Sequence, residues 1–312
     1  MDRRLFLKTV AAGAAAYQLA DVAAASNKKI SLKIGHTGLT WIDFSRRAGG
    51  QDPLSTSDFV EQAARDIAAL KFWGVEYFGQ QVDAMEAKGG IAKLLEPLGL
   101  PLTSAYCPVN LSDPNKRDGA IADFSRWGKL VKKYGGTVLV IGPNTVKRET
   151  YNLAEHKADI VATLNDLGKA ANDIGLTAVL HQHTGTCVET RDETYSVLHS
   201  IDTRYVKFGP DIGQLQKGGS DPVQVVKDFL PLVNHMHLKD YSGGENYLGY
   251  CPLGEGKVNV PAILAMMNGR KIAGHVMVEL DGSRGQPLSA LETATVAKKY
   301  LEGLGVHFRP SA

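Results

Sequence analysis

The sequence predicts one α/β domain folded as a (β/α)8 TIM barrel, and three observations carry that prediction. Eight short apolar, strand-like runs begin near residues 30, 75, 102, 137, 177, 206, 235 and 276, each followed by a helix-length amphipathic segment. Alternating strand and helix implies a parallel sheet, and eight such units imply that the sheet closes. No Gly-rich phosphate fingerprint follows the first run, which argues against an open doubly wound sheet. No low-complexity linker interrupts the chain, and 312 residues with 44% hydrophobic content can bury one large core.

In chain order, Ile30–Ile34 is expected as the first strand, ending in Gly35-His36-Thr37-Gly38. Ser57–Phe72 has helical period, with Ser55 or Ser57 as its N-cap. Val75–Phe78 and Ala84–Leu95 make the second strand and helix, and Leu102–Tyr106 and Ile121–Lys133 the third. Thr137–Ile141, stopped by Gly142-Pro143-Asn144, precedes a helix over Leu153–Asn172. The fifth strand carries His181-Gln182-His183 and breaks into a loop at Gly185. Arg191–Leu198, Val206–Phe208, Val223–Leu230, His235–Leu238, Pro261–Met267 and Val276–Leu280 continue the alternation, and Ser289–Leu301 closes it.

The formal net charge of +2 and the lack of a Lys/Arg block after the N-terminus remove the electrostatic footprint of a nucleic-acid binder. The three cysteines, Cys107, Cys187 and Cys251, are too few and scattered for a disulfide framework or zinc knuckle.

Residues 1–25 read as an address, leaving 26–312 as the barrel. Asp2-Arg3-Arg4-Leu5-Phe6-Leu7-Lys8, a mild apolar run to Ala20 and Ala23-Ala24-Ala25 before Ser26 have the layout of a secretory signal. The paired arginines resemble a twin-arginine signal, which implies the twin-arginine export machinery as a partner and a periplasmic location. The apolar run is too short and Ala/Gly-rich for a stable membrane span, so no membrane partner is expected. A homo-oligomer is compatible with the sequence, which sets no oligomeric state.

In such a barrel the C-terminal strand ends converge on one mouth. That rule puts His36, Tyr106, His181, His183, Asp211, His237, Lys239 and Glu279 on one rim. Side chains alternate along a strand, so His181 and His183 share a face. Imidazoles and carboxylates with open positions suit a divalent ion such as Mn²⁺, Co²⁺, Fe²⁺ or Zn²⁺. Each residue alone also has an ordinary structural use, Asp211 as a cap after Gly209-Pro210 and Glu279 as the partner of a barrel lysine. Four metal-competent side chains at four successive strand ends favour a site.

These residues resemble a known family. Asp211 after an apolar strand, His235-Met236-His237-Leu238-Lys239-Asp240, Pro252-Leu253-Gly254-Glu255-Gly256 and Val278-Glu279 look like the xylose-isomerase-like barrels of sugar isomerases and epimerases, over roughly Lys29 to Leu304. The resemblance implies a divalent metal on His181, Asp211, His237 and Glu279, and a small carbohydrate substrate. Many members carry Glu where this chain has His181, and a His there argues against a two-carboxylate epimerase. His181-Gln182-His183-Thr184-Gly185-Thr186 followed by Val188-Glu189-Thr190 looks instead like the inosose dehydratase branch, which implies a lyase or hydratase acting on keto-sugars, their glycosides or keto-cyclitols. His183 is then expected as the acid/base, Lys239 as a stabiliser of the enolate or aid to the leaving group, and Glu279 as ligand and catalytic carboxylate. His36, Trp41, Tyr106 and Glu255 are the expected substrate contacts. A metal-dependent isomerase or epimerase, and a non-enzymatic sugar-binding barrel, are the alternatives.

Overall fold

The computed structural model describes residues 29–44, 54, 59–282 and 285–310. The export signal expected over 1–25 and the caps expected at Ser55 or Ser57 lie outside the described residues.

The strands are β1 (Ile34–Thr37), β2 (Val75–Phe78), β3 (Leu102–Val109), β4 (Val138–Pro143), β5 (Thr177–Leu180), β6 (Val206–Phe208), β7 (Met236–Leu238), β8 (Asp240–Tyr241), β9 (Tyr250–Cys251) and β10 (Val276–Val278). Eight of them form one parallel sheet in the order β6-β5-β4-β3-β2-β1-β10-β7. The two ends of that order meet through parallel bridges, Phe208 to Val233 and Asp211 to His237, and this closes the barrel. The second bridge joins two expected metal ligands through their backbones. A separate antiparallel pair, β8 and β9, sits between β7 and β10 in sequence.

Alternation on the strands divides the core in two. Leu139, Ile141, Ala178 and Leu180 belong to the large cluster between barrel and helices, while Val138, Val140 and Val179 form a small cluster with Tyr106. The second set fills the barrel interior, as branched side chains do in this fold. The same parity carries on to His181, which therefore emerges inside the barrel directly above Val179. Gly142 continues the inward row of β4, where a Cβ would meet the Tyr106 ring at 2.3 Å. Glycine is needed there because Tyr106 lies across the position.

Several elements differ from the expectation. The first strand begins at Ile34 rather than ending there, because Ile30 instead bridges Val306 near the C-terminus and only Ile34–His36 finds a partner in β10. The helix expected over Ala84–Leu95 is two, Gly79–Ala87 and Ala92–Leu95, broken where Gly89 and Gly90 take φ of 103° and 98°. A short helix at Ile212–Lys217 and the β8–β9 pair were not expected, being too short to show a period. No described helix is long and apolar enough to cross a membrane.

Candidate active site

The mouth of the barrel holds a cavity of about 660 Å³. Thr37, Glu76, Tyr106, His181, His183, Glu279 and Asp281 are among its lining residues. Asp211, His237 and Lys239 are buried and packed against that polar wall.

His181 is the side chain best placed to serve as a ligand. It is fully buried, and neither ring nitrogen has a hydrogen-bond partner among the described residues. Burial first, then the neighbouring His237 and His183, hold its pKa well below the ordinary value, so the ring is neutral with a lone pair to offer. Leaving such a group unsatisfied is costly unless something outside the protein's own polar groups uses it. Ligand atoms of His181, Asp211 and His237 lie within 4.8 Å of one another, close enough to share one ion.

The charges around it are tightly interlocked. Lys239 is completely buried, with its ammonium 3.1 Å from Asp211, 2.6 Å from Glu279 and 2.8 Å from Asp281. Burial would strip its proton, but the three carboxylates outweigh that and push its pKa well above the lysine range. Burial likewise opposes ionisation of Glu279, and Lys239 and His237 reverse it. Asp211 is shifted up by burial, with Glu279 adding to the effect and Lys239 opposing it.

His237 stands between two carboxylates, Nδ1 at 2.8 Å from Glu279 and Nε2 at 2.8 Å from Glu76. Burial works against its charge, and those two acids outweigh burial. Glu76, in β2, was not foreseen. Its other oxygen takes the Ser104 hydroxyl at 2.5 Å and lies 3.0 Å from His235 Nε2. Glu76, His235 and His237 also cluster tightly enough to be ligands. Its two oxygens hold two imidazoles and a hydroxyl, and through one of them Glu76 braces the Nε2 side of His237. A single Glu inside the short strand Val-Glu-Tyr-Phe gave no sign of this in the sequence, except that a charge in a buried run needs a partner.

His183 is fixed by a polar relay. Its Nδ1 donates to the Thr184 carbonyl at 2.7 Å, and its Nε2 accepts from the Gln214 amide at 2.8 Å. That assignment follows from Gln214 Oε1, which already accepts from the Tyr250 and Thr184 hydroxyls at 2.5 and 2.7 Å. Asp211 is also a helix cap, because its Oδ1 accepts from the backbone N–H of Gly213 and Gln214 at the start of Ile212–Lys217. One short helix thus ties the expected ligand Asp211 to the relay on His183.

The remaining expected contacts are spread out. Tyr106 lines the cavity, its ring edge-on to His181 at 5.3 Å. His36 and Trp41 lie outside the lining, His36 bonding to the Thr37 carbonyl and Trp41 to Asp66. Glu255 is exposed and borders a smaller surface pocket instead. Lys239 faces inward but stands behind Glu279 and Asp281 rather than against the open space.

The family model of the Xylose isomerase-like TIM barrel matches residues 64–303, more than half of the chain. The chain belongs to this family. The inosose dehydratase of Clostridium perfringens is 28% identical over 300 residues, covering 87% of this chain and 97% of that protein. Among solved structures, the probable 3-DHS dehydratase of Bacillus anthracis shares 16% identity with a TM-score of 0.67, covering 87% of this chain and 99% of its own. The IOLI protein with a bound zinc atom shares 16% identity with a TM-score of 0.68, covering 88% and 98%. At those identities the two structures speak for the fold of this xylose isomerase-like barrel.

Proposed function

We propose that this barrel is a divalent-metal-dependent dehydratase of carbohydrate metabolism. Its substrate would be a keto-sugar, keto-glycoside or keto-cyclitol, and the reaction enolisation with β-elimination or its reverse, the addition of water. The carrying observation is the neutral, fully buried His181, without a partner among the described residues, clustered with Asp211 and His237, the latter 2.8 Å from Glu279. The similarity to an inosose dehydratase along nearly the whole chain supports the same reading.

His181, Asp211, His237 and Glu279 would hold the ion, with His237 giving Nδ1 while its Nε2–H stays on Glu76. A divalent ion held by these residues would supply the Lewis acidity that polarises a ketone oxygen and acidifies the neighbouring C–H. His183, whose relay leaves Nε2 as the lone-pair nitrogen, takes that proton once substrate displaces the Gln214 amide. Lys239 acts through Glu279 and Asp281, fixing both carboxylates and balancing their charge. Tyr106 closes the inner wall.

The test is incubation of the metal-loaded protein with 3-keto-glucosides and inososes, following mass and the ultraviolet absorbance of an enone. Loss of one water, or cleavage at the glycosidic bond, is expected. His183→Ala should keep its metal and lose at least ~10²-fold in rate, the low end for a general acid/base. Solvent-deuterium exchange that yields only an epimer of unchanged heavy-atom formula sinks the dehydratase reading and favours an epimerase. For export, Arg3→Lys with Arg4→Lys should keep the folded protein in the cytoplasm, and continued secretion would remove the twin-arginine reading.

A further inference from the structure

The cavity is chemically mixed. Its lining combines the acids and imidazoles Glu76, His181, His183, Glu279 and Asp281 with an apolar set, Leu39, Ile42, Phe78, Pro108, Pro143 and Leu248, which Asp43 and Gln286 also border. Leu39 and Ile42 belong to a small cluster separate from the barrel core, against which Phe78 packs. A cyclitol or free sugar carries hydroxyls around its whole ring, and turning them to that apolar set would strip them of water without giving them partners. A pocket of this volume also exceeds what one six-membered ring fills, since drug-sized ligands occupy pockets of roughly 300–1,000 Å³.

Leu248 adds a second, independent observation. It is 73% exposed, one of two exposed large apolar side chains among the described residues, and it stands at the cavity's edge. Both it and Tyr247 adopt left-handed backbone, with φ of 60° and 50°. Non-glycine residues held there cost of the order of 1–3 kcal/mol each and tend to mark ligand clamps. The turn is fastened on three sides. Tyr247 N donates to Gln286 at 2.8 Å, the Tyr247 hydroxyl accepts from Leu288 N at 3.0 Å, and Lys217 donates to the Leu248 carbonyl at 2.8 Å. The fold thus tolerates backbone strain to hold an exposed leucine side chain on the lining of the cavity.

We propose that the apolar set, Leu248 included, forms a subsite for an apolar aglycone, so that the substrate is a keto-glycoside bearing an aryl or alkyl group. This rests on the dehydratase reading for its chemistry but not for its binding. The aglycone oxygen of a 3-keto-glycoside is attached at C1, β to the ketone. The proton leaves C2 to the base, the C1–C2 double bond forms, and the C1–O bond breaks. The aglycone departs as an alcohol or phenol once its oxygen is protonated. Nothing is oxidised or reduced.

The experiment compares binding of 4-nitrophenyl β-D-glucoside and methyl β-D-glucoside, neither of them a ketone, to the Mn²⁺-loaded protein by calorimetry. The aryl glucoside should bind at least ~10-fold more tightly. In Leu248→Asn, where asparagine tolerates the left-handed turn, that ratio should fall toward one. Equal affinities in the native chain, or no binding of the aryl glucoside, overturn the subsite, whether or not keto-sugars are dehydrated. An aryl preference lost in Leu248→Asn upholds it even if no keto-sugar is dehydrated, and in that case only the reaction reading fails. A ratio near one in a chain that Leu248→Asn converts from dimer to monomer assigns Leu248 to a subunit contact and also overturns the subsite.

Discussion

The ammonium of Lys239 lies 2.6 Å from Glu279, and Asp211 and Asp281 are its other two partners, so three acids share one buried lysine. Asp211 and Glu279 are proposed metal ligands as well. Lysine and metal therefore draw on the same carboxylates. Removing one partner of a buried ion cluster costs about 3–5 kcal/mol, because the remaining charges lose their compensation. Lys239→Met should accordingly unfold at a lower temperature in chelator. A divalent ion should then raise its Tm by more than it raises that of the native chain, since the ion replaces part of the missing charge. Equal metal-induced shifts in the two proteins would show that Lys239 and the ion do not share the acids.

His181 and Asp211 should part company on mutation. His181 makes no hydrogen bond to the described residues through its ring, so His181→Ala should leave the fold in chelator little changed apart from lost packing. It should weaken metal binding by more than the ~10–100-fold typical of losing a supporting residue. Asp211→Ala also removes the cap on Ile212–Lys217, worth ~1 kcal/mol, and frees Gln214 from its place beside His183. Asp211→Asn restores the cap but not the charge. Metal content and chelator-phase unfolding of all three variants check this, and full occupancy in His181→Ala would remove it from the ligand set.

The sequence made the barrel legible because strand and helix alternate with little interruption, and period carries more information than any boundary. Its errors came where tertiary pairing decides: Ile30 found Val306 rather than a sheet neighbour, and two glycines cut one amphipathic run. The strand-end rule likewise brought His181, Asp211, His237, Lys239 and Glu279 to one place. It could not reveal Glu76 or Gln214, whose meaning lies in partners 161 and 31 residues away. Nor could it show which expected substrate contacts face the cavity: Tyr106 does, and His36, Trp41 and Glu255 do not.

The motif Pro252-Leu253-Gly254-Glu255-Gly256 owes its form to Asp240. One oxygen of that carboxylate accepts from Gly254 N and Gly256 N, both at 3.0 Å, and the other from Val258 N at 3.1 Å and Tyr241 N at 2.9 Å. A Cβ on Gly256 would sit 2.1 Å from Asp240 Oδ1, so the approach requires glycine. Asp240→Ala strands donors that each cost ~1–3 kcal/mol where water cannot reach them, and it should be markedly destabilising. Glu255 is exposed, and Glu255→Ala should change stability by less than about 0.5 kcal/mol. A raised KM in Glu255→Ala at unchanged stability would return Glu255 to the substrate site.

The last prediction concerns acid. His36 is buried, its ring edge-on to Trp41 and Phe72 at 5.2 and 5.1 Å, with Nδ1 at 2.6 Å from the Thr37 carbonyl. Burial lowers its pKa to about 4, against the opposing pull of that carbonyl and of Glu279. In the unfolded chain the same ring titrates near 6.5. A pKa depressed by folding means that the unfolded state binds the proton first. The stability is therefore present in full above pH ~6.5 and is lost as pH falls through the window down to about 4. At roughly 1.4 kcal/mol per pH unit, His36 can account for a loss of up to about 3 kcal/mol across it. His275, also lowered to about 4 by burial, has the same sign and leaves a residual slope. His36→Gln should be less stable at pH 7, having lost the ring contacts. Its unfolding free energy, measured in chelator, should nevertheless fall less steeply between pH ~7 and ~4.5 than that of the native chain. Parallel pH dependences in the two proteins would show that the proton is taken up elsewhere.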